Sequence, residues 1–68
     1  MNNSQRMLQA LDEQDLTKAN QFFHKALETD SSEVLYELAS YLEGIGFYPQ
    51  AKEIYQNIIT EFPEVNLN

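Results

Sequence analysis

The stretch LYELASYLEGIGFYPQAKEIYQNIITEFP, residues 35–63, carries two apolar stripes of helical spacing with a short turn between them. Leu35, Leu38, Ala39 and Leu42 recur at the three- and four-residue intervals that line one face of a helix. Ala51, Ile54, Tyr55, Ile58, Ile59 and Phe62 do the same further on, and at 100° per residue they cover an arc of about 140°. So broad an apolar face asks for neighbours on two sides. Gly44 or Gly46 can adopt the left-handed backbone that ends the first stripe. Pro49 suits the first turn of the second, where its missing N–H would be unpaired anyway. Phe62-Pro63 ends it, because a residue before proline avoids helical geometry.

Working outward, the same logic predicts two earlier helices. The four helices run roughly over residues 3–13, 16–29, 32–43 and 49–61. Asn2, Asn3 or Ser4 can cap the first and Asp15 the second. Asp30 or Ser31 can cap the third, and Asp30 with Glu33 has capping-box spacing. The fold class is all-α.

Sliding the sequence along itself by 32 residues exposes an internal repeat. Leu16 falls on Tyr48, Ala19 on Ala51, Phe22 on Ile54, Phe23 on Tyr55, Ala26 on Ile58 and Leu27 on Ile59. Met7 falls on Ala39 and Ala10 on Leu42. A period in this range marks one supersecondary unit per repeat. The organisation read from it is a first helix–turn–helix over residues 1–31, a second over 32–65, and a tail or the start of a further helix at 66–68.

These residues resemble the tetratricopeptide repeat. Leu35, Leu38, Ala39 and Leu42 stand at the first-helix positions of that motif, and Gly46 stands at its turn. Ala51, Tyr55 and Ile58 match the second helix, and Pro63 the closing proline. The first repeat matches at Ala19, Phe23 and Ala26, with Met7 and Ala10 at packing positions. It departs from the motif at Asn3 and Arg6, where large apolar residues are expected, and at Gln14 and Ser31, in place of glycine and proline. The resemblance implies four antiparallel helices in a short right-handed α-solenoid that works as a protein–protein interaction scaffold. It implies a concave groove lined by the first helix of each repeat. Transferred by pattern, the groove positions are Ser4, Leu8, Leu11 and Asp12, then Glu33, Tyr36, Glu37, Ser40 and Glu43. Such arrays generally need about three repeats. The chain is therefore expected to be the N-terminal part of a longer array, or else a self-associating protein that uses Ile58, Ile59 and Phe62 as its uncovered face.

Composition excludes other functions. The formal charge is −7, from eleven acids against Arg6, Lys18, Lys25 and Lys52. That argues against nucleic acid and anionic membranes, both of which select clustered bases. No segment approaches the ~20 apolar residues of a membrane span, and the N-terminus lacks the apolar core of a signal peptide. A cytoplasmic setting is the expectation. With no cysteine there is neither disulfide nor thiolate chemistry. His24 is the one histidine and reads as a surface helix residue. Glu33 and Glu37, one turn apart, would hold a divalent ion only weakly by themselves. Gly44-Ile45-Gly46 is too short for a phosphate loop. No catalytic, cofactor or metal residue is therefore assigned, and the chain reads as a non-enzyme.

Residues 1–31 hold five acids and three bases, whereas residues 32–68 hold six acids and one base. An acidic groove repels a free carboxylate, so a basic or amphipathic segment of a partner protein is the expected ligand. Two alternatives to the scaffold are a free-standing homo-oligomeric structural protein and an acidic inhibitor of a basic nucleic-acid-binding protein.

Overall fold

A computed structural model describes residues 1–63. Among them the regular structure is entirely helical: α1 (Asn3–Asp12), α2 (Leu16–Thr29), α3 (Ser32–Gly44) and α4 (Tyr48–Glu61). The chain divides into two units at the Asp30–Ser31 bond. α1 packs on α2 in the first unit and α3 on α4 in the second.

Each helix has a local cause. Asn2 and Gln5 form a reciprocal capping box at the start of α1, with bonds of 2.7 and 2.9 Å. The Asp15 carboxylate accepts the Lys18 N–H at 3.1 Å and starts α2. The Ser31 hydroxyl accepts the Val34 N–H at 3.2 Å and starts α3. α4 has no side-chain cap, but Pro49 in its first turn removes one of the N–H groups that would need one. The predicted capping box of Asp30 with Glu33 does not form. Asp30 instead ends α2, and its carboxylate turns to α1.

The two inter-helix turns share one geometry at the 32-residue offset. After α1, the N–H of Gln14 donates to Leu11 at 3.0 Å and that of Asp15 donates to Ala10 at 2.9 Å. After α3, the N–H of Gly46 donates to Glu43 at 3.2 Å and that of Phe47 to Leu42 at 2.8 Å. This pair of bonds satisfies the last carbonyls of a helix and requires a left-handed residue at the second position past the helix. Gly46 supplies it at φ 92° without strain, whereas Gln14 adopts it at φ 62° despite its side chain. The glycine-to-glutamine difference between the repeats is therefore a change of residue and not of turn.

The buried apolar side chains of the first unit are Met7, Ala10, Ala19, Phe23 and Ala26. Those of the second are Leu35, Leu38, Ala39, Leu42, Ala51, Ile54 and Ile58. The first core is built largely of alanine. Polar links at the open end of its hairpin supplement it. The Asp30 carboxylate accepts both the backbone N–H of Ser4 at 2.8 Å and its hydroxyl at 2.6 Å. The Asn3 amide donates to the Thr29 hydroxyl at 2.8 Å. The Arg6 guanidinium and the Lys25 ammonium sit 5.9 and 5.4 Å from the Phe22 ring centre.

Candidate functional site

The stripe of Leu35, Leu38, Ala39 and Leu42 turns inward on α3, which forces Glu33, Tyr36, Glu37, Ser40 and Glu43 outward. All five are exposed. α3 carries no Lys or Arg, so this face presents three carboxylates around a tyrosine ring. Tyr36 is 55% exposed and meets Tyr55 of α4 edge-to-face, at 5.5 Å between ring centres and 72° between planes. The Tyr55 hydroxyl donates to Glu43 Oε1 at 3.3 Å. Burial holds the Tyr55 phenol above its usual range, and the charge of Glu43, its hydrogen bond and Tyr36 push in the same direction. Tyr36, Glu43 and Tyr55 thus form one coupled aromatic–carboxylate cluster.

The positions expected on α1 fare differently. Asp12 is exposed, and Leu8 and Leu11 are half-buried. Ser4 is 4% exposed, with its hydroxyl held by Asp30, so it is a structural residue of the hairpin and not a contact surface. Its short side chain lies at the α1 terminus, where an acceptor from the end of α2 reaches both of its donors.

The expected uncovered face of α4 also needs redrawing. Ile58 is buried, because it continues the Ala51–Ile54 stripe one turn further. Phe62 is half-buried, and Ile59 is 52% exposed. The open surface lies to one side of the stripe. Tyr48, Lys52, Tyr55, Gln56 and Ile59 of α4, with Glu43 of α3, line an open groove of about 410 Å³. Tyr48 is 65% exposed. The sequence does not single out Lys52 and Gln56 as site residues, and it marks Tyr48 only as a repeat position and not as open surface. Their signal is the spacing from Tyr48 through Lys52 and Tyr55 to Ile59, a second stripe beside the core stripe.

His24 is exposed, with its ring 5.5 Å from that of Phe23. Among the described residues, no three His, Cys, Asp or Glu side chains come together as a metal-ligand group. None of the described helices is long and apolar enough to cross a membrane. No family model, curated protein or solved structure matches the chain.

Proposed function

We propose that the chain is a tetratricopeptide-like interaction module, in a cytoplasmic setting, that binds a basic, amphipathic segment of a partner protein. The observation that carries this reading is the outward face of α3. It has three carboxylates and no base, arranged about an exposed tyrosine whose ring is held in place by Tyr55. Surface carboxylates alone aid solubility. A fixed, half-exposed aromatic ring among them adds an anchor of the kind that concentrates binding energy. The two turns repeating at a 32-residue offset support the tandem-repeat part of the reading. Leu8 and Leu11 stand one period before Ser40 and Glu43, and Asp12 follows them at the end of α1.

Calorimetry at low salt, with a basic amphipathic peptide and an acidic one of equal length, tests the proposal. The basic peptide binds more tightly and loses affinity as salt rises. Tyr36→Ala and Glu37→Lys each weaken it by roughly tenfold. Tighter binding of the acidic peptide, or binding indifferent to both substitutions, overturns the proposal.

A further inference from the structure

The groove on α4 adjoins the α3 face at Glu43 and Tyr55, and its residues say what covers it. Every α4 side chain that lines it has its mate in the same set about the midpoint between Glu53 and Ile54. Tyr48 mirrors Ile59, Ala51 mirrors Gln56, and Lys52 mirrors Tyr55. A set that is palindromic along a helix is self-complementary under a two-fold axis. The charges follow the same rule. Lys52 is the sole Lys or Arg of residues 32–68 and lines this groove, as does Glu43. Among the described residues, Lys52 has no acidic partner within ion-pairing distance. Two of the positions one period earlier on α2 are less exposed, Phe23 being buried where Tyr55 is half-buried and Leu27 half-buried where Ile59 is open, whereas Leu16 is as exposed as Tyr48.

We propose that this groove is the interface of a symmetric dimer in which α4 packs antiparallel on α4 of a second copy. Tyr48 then lies against the partner's Ile59. The Lys52 ammonium lies over the partner's Tyr55 ring, a favourable cation–aromatic contact, and beside the partner's Glu43, which is already hydrogen-bonded to that ring's hydroxyl. The symmetry makes each of these contacts twice. α4 has 14 residues, which gives a contact about 21 Å long. That is a small interface, so the dimer is weak and its dissociation constant lies in the micromolar range. Of the α3 face only Glu43 takes part; Tyr36 and Glu37, on which the peptide test rests, lie outside the groove, so peptide binding can succeed or fail independently.

Sedimentation equilibrium on the full chain, from about 10 μM to 1 mM, is the test. The wild-type chain passes from monomer to dimer across that range. Lys52→Glu and Glu43→Lys each place like charges together twice and weaken the dimer by roughly tenfold or more. Mixing the two variants restores association, because each altered side chain then faces the opposite charge. Circular dichroism verifies that both variants keep their helices. As a second readout, the double variant Tyr48→Cys/Ile59→Cys forms a disulfide-linked dimer on mild oxidation. Within one chain the two positions are about 16 Å apart along α4 and cannot bridge. A wild-type chain that stays monomeric at the highest concentration overturns the proposal. So does a dimer indifferent to both charge reversals, or one that the mixture does not restore.

Discussion

Asp30→Ala should unfasten α1 from the end of α2. The Asp30 carboxylate accepts the Ser4 N–H at 2.8 Å and the Ser4 hydroxyl at 2.6 Å, and Ser4 is only 4% exposed. A hydrogen bond to a charged group contributes about 1.5–3 kcal/mol, and a buried donor left without a partner costs about 1–3 kcal/mol. Asp30 itself is only half-buried, so water replaces part of what is lost, and a net cost of about 2 kcal/mol is the working figure. A chain of this length is stable by roughly 3–10 kcal/mol, so the change is a substantial fraction of the whole. With a urea slope near 1 kcal/mol per M, the unfolding midpoint falls by about 2 M. Asp30→Asn keeps a neutral acceptor in place and should lose about half as much. The more discriminating measurement adds Ser4→Ala to Asp30→Ala. In the wild type Ser4→Ala destabilises, because it removes a bond. In the Asp30→Ala background it is neutral or stabilising, because it removes an orphaned hydroxyl. Amide exchange should accelerate in α1 more than in α3. A midpoint shift below about 0.5 M, or additive effects of the two substitutions, would refute the role given to this contact.

The two turns respond in opposite directions to the same kind of change. Gln14→Gly relieves a left-handed glutamine and raises stability by up to about 1 kcal/mol, whereas Gly46→Ala lowers it by about 1 kcal/mol through the backbone alone, since no atom crowds a methyl there. Urea melts of both variants check this, and an equal sign for the two would contradict it. Leu42→Ala opens a cavity at a fully buried side chain and costs about 2–5 kcal/mol, seen as a collapse of the thermal transition. Tyr55 should ionise above the usual phenol range in an ultraviolet absorbance titration. Its folded pKa is raised, so its contribution to stability is complete below the unfolded value of about 10 and is lost as pH climbs through the folded one. Glu43→Gln lowers its midpoint only in part, because burial is the larger cause and remains; an unmoved midpoint would detach Glu43 from the cluster.

Local rules made the helices legible. Capping residues, prolines and three-to-four spacing placed the ends of the four helices within one residue of those observed, and α2 runs over the range expected. What escaped were the choices a side chain makes between two legitimate partners. Asp30 satisfies the capping-box pattern with Glu33, yet its carboxylate reaches the α1 terminus 26 residues back, and Ser31 caps α3 instead. Ser4 suits a groove position by pattern, but the same reach buries it. Ile58 and Ile59 are adjacent and equally apolar, and only the direction in which the core lies separates a buried residue from an exposed one. The α4 groove went unseen because Lys52 and Gln56 interrupt its apolar run, although each presents its long side chain to the groove with Tyr48 and Ile59.

The polar residues at the open end of the first hairpin also gain a physical sense, because each finds a partner there. At the 32-residue offset, Asn3, Ser4 and Arg6 stand where the second repeat has Leu35, Tyr36 and Leu38, and Asp30 stands where it has Phe62. Taken singly, each replaces an apolar residue by a polar one and should weaken a hairpin. Two of them satisfy each other, Ser4 with Asp30, and the other two find partners on α2, Asn3 with Thr29 and Arg6 over Phe22. A polar group that gains its partner at the moment it is buried costs little, whereas a polar group that arrives alone costs about 1–3 kcal/mol. Ser4 and Asp30 are therefore interdependent, which requires that restoring one apolar residue of the pair in isolation be unfavourable. Ser4→Tyr, which places the second repeat's residue in the first, should destabilise the chain by stranding the Asp30 carboxylate. Ser4→Tyr combined with Asp30→Phe should recover part of the loss. Recovery of nothing, measured as the urea midpoint of the double variant against the single one, would mean that these positions diverged independently.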